Sequence, residues 1–426
     1  MISESPQSEC FIYITLPRQT SSVTAGRLVL TKDRLGKSTG KFVYGKSYLS
    51  REDAVEIDPI ELKLGATTYQ NARLGGVFSS LRDAGPDYWG RCLIERHSGK
   101  TILGELDYLL ESPDDRAGAL GFGLNKTPPA PLRKFNKTIE LERLQQIADK
   151  LVQEQLDSTD VESIQAQELL LIGTSMGGAR PKAVVEDDRG LWVAKFGRND
   201  DRWNNPRVEH AMLELARSCG LDTARSRIET IGGKDVLLVQ RFDREKTSLG
   251  YMRARMISGL TILRADESPL NRERWSYVLM AEELRRVVSE PKKDAAELFR
   301  RMCFNALISN TDDHPRNHAL IAFDRAWKLS PAYDLTPSLA VSTERRDLAL
   351  DCGDSGRFAN ANNLLSQCSR FLLDREKAQE MIATMTAQIK SNWYNIARAQ
   401  GVSERDAQTI KSAFAYDGFE STLNNK

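Results

Sequence analysis

The chain has 426 residues, 60 Lys+Arg against 59 Asp+Glu, a net charge of +1 and 40% hydrophobic residues. That length calls for two or three packed units rather than one simple core. The even charge argues against stand-alone nucleic-acid binding, which asks for a basic excess or stripe, and no stretch approaches the ~18 uncharged apolar residues of a membrane span.

Six scattered cysteines (Cys10, Cys92, Cys219, Cys303, Cys352, Cys368) form no CxxC pair, so reduced thiols are expected and structural zinc is not. The first 19 residues lack a basic segment followed by a long apolar core, so no secretion signal is expected. The expectation is a soluble, cytoplasmic protein without membrane contact.

Residues 10–60 read as short strands, with Phe11, Tyr13 and Thr15 alternating before the runs Leu28–Leu30 and Phe42–Tyr44. Residues 75–125 are dense in glycine, which predicts tight turns and close backbone contacts rather than long elements. Three prolines and several cations at 127–138 mark a boundary. Leu141, Leu144, Ile147, Ala148 and Leu151 recur at helical spacing, predicting an amphipathic helix over 139–156.

Two hairpins follow. The first pairs Ala183–Val185 with Leu191–Phe196 across an acidic turn ending in Gly190; the second turns at Gly232-Gly233. Between them Asn205-Pro206 starts a helix running to about Cys219, closed by Gly220. Residues 270–310 and 362–415 read as mostly helical. A sheet-rich half followed by a helix-rich half predicts an α+β fold of two lobes with a cleft.

Four segments carry candidate chemistry. In SNTDDHPRNHALI (309–321), Asp312 and Asn317 stand five positions apart on a loop between helix and strand. Phosphoryl transfer from ATP needs a carboxylate to orient the attacking hydroxyl and an oxygen ligand for magnesium, and protein kinases use that spacing. A solvated polar turn is the other reading. In KLSPAYDLTPS (328–338), Asp334 follows a strand-turn-strand stretch, where kinases deliver a second magnesium-binding aspartate; capping the next turn is the alternative. Gly173, Gly177 and Gly178 precede the first hairpin, and Lys195 lies in its second strand. Glycine amides can approach phosphates closely and a strand lysine can reach them. The strand DVLLVQRFDR (235–244) has the form of an interlobe hinge, with Gln240 and Phe242 at the hinge positions, or of an ordinary core strand. Glu209 either pairs with Lys195 or is a first-turn glutamate helped by the helix dipole. His314 and His318 flank the loop as hydrogen-bonding braces.

These segments come in kinase order. At SMGGARPKA, WVAKF, QRFDR, NTDDHPRNH and LSPAYDLTPS the sequence resembles the HipA family of toxin kinases, and GGVFSSLRDAGPDYWGR and RAGALGF resemble that family's N-terminal domain. The resemblance implies a two-lobed, protein-kinase-like fold. Its parts would be a β-rich N-terminal subdomain (1–130), a kinase N-lobe (131–250) and a helical C-lobe (251–426). It implies ATP and Mg²⁺ as cofactors and serine/threonine protein kinase activity. Asp312 would be the catalytic base, Asn317 and Asp334 the magnesium ligands and Lys195 the phosphate-binding lysine. Gln240 and Phe242 would sit against adenine. Ser175 matches the autophosphorylated serine whose phosphate expels the glycine-rich loop and silences the enzyme; Thr174 is a second hydroxyl beside it. Arg180-Pro181-Lys182 stands where the family more often has Gln-Glu/Pro-Lys.

The implied partners are a HipB-like helix-turn-helix antitoxin, operator DNA mainly through that antitoxin, and a protein substrate of the translation machinery such as an aminoacyl-tRNA synthetase. Two alternatives stay open: a small-molecule or lipid kinase of the same fold, and an inactive nucleotide-binding partner of the antitoxin. The presence of Lys195, Asp312, Asn317 and Asp334 together favours an active kinase.

Overall fold

The computed structural model describes residues 8–98, 103–131, 135–152, 180–339 and 342–420. The chain divides into two compact units. One holds Met1–Phe196, Leu238–Ile257 and Ile321–Ala326; the other holds Gly197–Leu237, Ser258–Leu320 and Trp327–Lys426.

In the first unit, strands β1 (Glu9–Thr15), β2 (Ser22–Lys32), β3 (Ser38–Tyr44), β4 (Thr68–Asn71) and β5 (Leu120–Gly123) form an antiparallel sheet in the order β4-β3-β2-β1-β5. Strand alternation turns Ile12, Ile14, Leu28 and Phe42 into a core shared with Leu62, Val77, Phe78 and Leu81. Burying each such side chain contributes about 1.5–3 kcal/mol. Tyrosine hydroxyls hold the following segment onto the sheet: Tyr44 accepts the Ile57 N–H at 2.8 Å and donates to Leu62 O at 2.6 Å. A Cβ at Gly40 would lie 1.8 Å from Gly76 O, so this crossing requires glycine.

The glycine-rich stretch differs from its expectation, because it contains helix α1 (Tyr88–Ser98) of 11 residues. Asp87 starts that helix, its carboxylate accepting the Gly90 N–H at 2.7 Å as an N-cap. Helix α2 (Leu141–Val152) occupies part of the stretch expected to be helical, and 153–156 lie outside the described residues. Strand β6 (Asn136–Lys137) runs parallel to β7 (Lys182–Asp187), which forms the expected hairpin with β8 (Gly190–Phe196). Asp187 closes its turn by accepting the N–H groups of Arg189 and Gly190 at 2.8 and 3.1 Å.

In the second unit, helix α3 (Asn205–Ser218) is capped one residue earlier than expected. Asn204, not Asn205, accepts the Arg207 N–H at 3.1 Å, and its amide donates to Asp235 at 2.6 Å. Strands β9 (Ser226–Ile231) and β10 (Lys234–Gln240) flank Gly232 and Gly233, whose φ values of 57° and 79° suit the two central positions of a tight hairpin turn. The division between units falls within β10, after Leu237. Back in the first unit follow β11 (Arg244–Thr247), β12 (Gly250–Arg253) and β13 (Arg255–Ser258), the last ending at the division after Ile257.

Helices α4 (Tyr277–Val287), α5 (Pro291–Leu307), α6 (Arg375–Ala399) and α7 (Glu404–Ile410) form the helical part. α5 is its axis: Leu298, Phe299, Met302 and Phe304 are fully buried, and Phe299 meets Phe371 edge-on at 5.3 Å. Strands β14 (Ala319–Ala322) and β15 (Lys328–Leu329) form the expected strand-turn-strand. Among the described residues no helix is long and apolar enough to cross a membrane.

Candidate functional site

The loop from Ser309 to His318 leaves the buried end of α5 and enters β14. Its backbone is wound on itself: the His314 N–H bonds Asp312 O at 2.8 Å, and the Asn317 N–H bonds His314 O at 2.9 Å. The Asn317 side-chain amide donates to Asp312 O at 3.4 Å. The two residues singled out by their spacing therefore meet. The Gly259 N–H bonds His318 O at 2.7 Å, and a Cβ at Gly259 would lie 2.4 Å from Pro315 O. Only glycine allows this close support.

Beneath the loop is a buried polar network. Asp313, 1% exposed, receives the Tyr277 hydroxyl and lies 2.9 Å from His318 Nε2. The Asn305 amide donates to the Tyr277 oxygen at 3.1 Å, and the Asn310 amide to Asn305 Oδ1 at 3.0 Å. Burial first, then Asp313, push the Tyr277 phenol far above its ordinary range, so it stays a protonated donor. His318 braces the loop as expected; His314 departs from expectation, since its Nδ1 is buried without a hydrogen-bond partner. Tyr277→Phe strands the Asn305 amide and removes a donor from Asp313. It is expected to cost about 1–3 kcal/mol, read as a lower urea midpoint with an unchanged slope.

Asp334 sits at φ = +60°, a left-handed conformation that a non-glycine residue adopts at some cost. Loop and Asp334 segment are tied together within the second unit: the Tyr333 hydroxyl donates to Arg316 O at 2.7 Å, and the Ser338 N–H bonds Ser309 O at 3.0 Å. Burial raises the Asp312 carboxyl above its ordinary range; His314 opposes this, and Asp334 and Asp313 add to it. Asp312 and Asp334 thus feel each other as like charges.

Among the described residues no group of three or more His, Cys, Asp or Glu side chains is arranged to hold a metal ion. The donor set here is instead two carboxylates and an amide oxygen. Hard oxygen donors, few in number and in mutual repulsion, fit a magnesium ion that takes its remaining ligands from water and phosphate.

Lys195 lies on β8, Gln240 ends β10, and Phe242 follows it, all in the first unit. The Gln240 amide lies 3.4 Å from Arg189 O. Glu209 is buried on α3 beyond its first turn, which removes the first-turn dipole reading. Gly173, Thr174, Ser175, Gly177 and Gly178 lie outside the described residues.

The family model for the HipA-like C-terminal domain matches residues 174–393. That is more than half of the chain and takes in every candidate segment from the end of the glycine-rich loop to Asp334. The chain belongs to the HipA-like family. Two curated relatives from Sinorhizobium fredii (strain NBRC 101917 / NGR234), "Putative kinase Y4mE" and "Putative kinase Y4dM", are 26% and 28% identical over 154 and 168 residues. Those stretches are 34% and 36% of this chain and only 35% and 39% of the relatives, so the chain spans little more than a third of the curated relatives it matches. A solved chain of the Shewanella oneidensis MR-1 toxin–antitoxin complex of HipA, HipB and operator DNA superposes with a TM-score of 0.68 at 15% identity. The match covers 94% of this chain and 95% of that one. At that identity the likeness speaks for the fold, which is HipA-like along almost the whole length.

This HipA-like chain also contains polar residues that sequence reading passed over. Arg241, between the two hinge candidates, is completely buried and bonds Asp115 and Asp243, with its Nε 3.0 Å from Asp243 Oδ1. Arg244 joins the cluster 2.7 Å from Asp243 Oδ2, and the Gly118 N–H reaches the same oxygen at 2.9 Å. Crowding by burial and by Arg241 brings the Arg244 guanidinium down to about 9. The sequence signal was an alternation of charge and aromatic in QRFDR, a stretch read as an interlobe hinge or an ordinary core strand.

Proposed function

We propose that this chain is an ATP- and magnesium-dependent serine/threonine protein kinase acting as the toxin of a toxin–antitoxin module. The observation that carries the reading is the meeting of Asp312, Asn317 and Asp334 in one part of the second unit. The acceptor hydroxyl attacks the γ-phosphorus, the β–γ bridging bond breaks to release ADP, and the hydroxyl proton passes to Asp312. Asn317 and Asp334 would hold Mg²⁺, which supplies charge neutralisation on the phosphates. Lys195 adds a point charge to the phosphates, and Gln240 and Phe242 lie against adenine. Buried Asp313, fixed by Tyr277 and His318, keeps the loop in register without touching substrate.

The same reading makes 1–130 a HipA-type N-terminal subdomain, 131–250 the kinase N-lobe and 251–426 the C-lobe. Ser175, or Thr174 beside it, is the autophosphorylation site. The solved relative is a complex of HipA, HipB and operator DNA, which supports a HipB-like antitoxin as partner here. The net charge of +1 supports leaving DNA contact mainly to that partner. The substrate is a protein of the translation machinery, met in the cytoplasm.

Calorimetric titration with ATP tests the nucleotide part. Saturable binding with Mg²⁺ that is lost on adding EDTA is expected. Absence of binding in both conditions would remove the kinase reading.

A further inference from the structure

The loop that carries Asp312 begins at a strained residue. Ser309 is buried and sits at φ = +55°, in the left-handed region that favours glycine. Helix α5 has just ended, and its last carbonyls need donors from outside the helix. The Leu307 carbonyl receives the Ala415 N–H at 2.7 Å, and Ala415 itself stands at φ = +41°. Non-glycine residues keep such conformations only where their surroundings over-determine them.

Arg346 supplies that constraint. Its Nη1 donates to Ser309 Oγ at 2.5 Å and to Ala413 O at 3.2 Å, and the Ser309 hydroxyl donates to the same Ala413 oxygen at 2.6 Å. Its Nε donates to Ser342 O at 2.9 Å, and the buried guanidinium lies 4.4 Å from the centre of the Tyr416 ring. A planar fork of donors can serve all these acceptors at once, which a single ammonium cannot. The segment 411–420, which follows α7, has anchors of its own. The Tyr416 hydroxyl donates to Ala359 O at 2.6 Å and the Gly418 N–H to Thr343 O at 2.9 Å. A Cβ at Gly418 would lie 2.0 Å from Glu344 O, so this docking requires glycine. On its other side, Ser309 passes the constraint on: its carbonyl accepts the N–H groups of Thr311 and Ser338 at 2.9 and 3.0 Å. The first bond leads toward Asp312 and the second toward the Asp334 segment.

We infer that Arg346 is a positioning residue for the Asp312 loop, clasping Ser309 to the segment 411–420 so that a contact 104 residues further along the chain sets where Asp312 stands. The role of Asp312 in phosphoryl transfer rests on the proposed function above; the clasp is a property of the loop itself. Every residue in it belongs to the second unit.

The test compares the full chain with Arg346→Lys, Ser309→Ala and Gly418→Ala, each held well below its melting temperature. Lysine keeps the charge without the fork. Gly418→Ala disturbs the far end of the clasp and leaves Arg346 and Ser309 in place. The readouts are hydrogen–deuterium exchange and the rate of self-labelling from γ-labelled ATP with Mg²⁺. Each variant is expected to speed exchange of the 309–318 amides about tenfold, with the middle of α5 unchanged. Each should also lower the maximal labelling rate about tenfold while the half-saturating ATP concentration stays within about twofold. Arg346→Lys combined with Gly418→Ala should fall no further than the worse single variant, because one clasp is broken twice. A clasp that only adds stability predicts a lower melting temperature with loop exchange and labelling as in wild type, and that pattern overturns the inference. A loss in the double variant equal to the product of the single losses does so too. If Gly418→Ala does not fold, the other two variants decide by the same readouts. A wild type that takes no label counts against the kinase reading alone, and loop exchange then decides the clasp.

Discussion

Replacing Asp312 by asparagine is expected to lower phosphoryl transfer by about 10²–10⁴-fold, the usual contribution of a positioned proton acceptor, while the protein melts no lower than wild type. Both parts follow from one arrangement. Asp312 sits at the surface of its loop, yet burial of its carboxyl first, then Asp334 and Asp313, raise that group against the opposing pull of His314. A carboxyl raised in the folded state binds more protons there than in the unfolded chain. The ionised group therefore costs the folded state stability at pH 7, and that cost vanishes below the unfolded value of about 3.9. Asparagine removes the cost. Its advantage in melting temperature should be present at neutral pH and fade as pH falls toward 4. In the wild type, the acid limb of the rate profile should lie above the ordinary aspartate range, because transfer needs the ionised form. An Asp312→Asn protein that melts well below wild type would mark Asp312 as structural.

The largest stability effect belongs to Arg241. Arg241→Met leaves Asp115 and Asp243 buried with a diminished counter-charge, and breaking such a pair costs about 3–5 kcal/mol. Arg241→Lys should not restore it, because one ammonium cannot reproduce the planar contacts to both carboxylates and to Arg116 O at 2.8 Å. Burial alone would raise the Asp243 carboxyl, but Arg241 and Arg244 more than offset it and hold it well below the usual range. A depressed carboxyl stabilises the fold above the unfolded value near 3.9 and loses that contribution as pH falls through the folded value. The gap between wild type and Arg241→Met in urea midpoint should accordingly persist from pH 5 to 8 and narrow in acid. A gap below about 1 kcal/mol at pH 7 would mean that the cluster is not what holds this part of the first unit.

What could be read from the sequence was local. The β7–β8 hairpin announced itself through an apolar run on either side of an acidic turn, and β9–β10 through Gly232-Gly233. The start of α3 was misplaced by one residue because Asn204 and Asn205 are both good caps, and only the contact with Asp235 distinguishes them. Helix α1 was missed because glycine and proline around it argue for turns, and the cap at Asp87 is fixed by a lysine 95 residues onward. At the candidate site, five-residue spacing identified Asp312 and Asn317. The support below them was illegible, since Tyr277 and Asp313 are 36 positions apart and look like ordinary helix and loop residues. Arg241 and Asp115 are 126 positions apart, and composition carries no signal for that distance. Short-range patterns specify elements and a motif; buried charge pairing is decided by tertiary structure.

Incubating the full chain with γ-labelled ATP and Mg²⁺ beside Asp312→Asn, and locating the label by mass spectrometry, decides whether this chain transfers a phosphoryl group. Label is expected on a hydroxyl of the wild type, at Ser175 or Thr174, and none on the variant. Equal labelling of both proteins, or no label on a wild type that binds Mg·ATP, would contradict it.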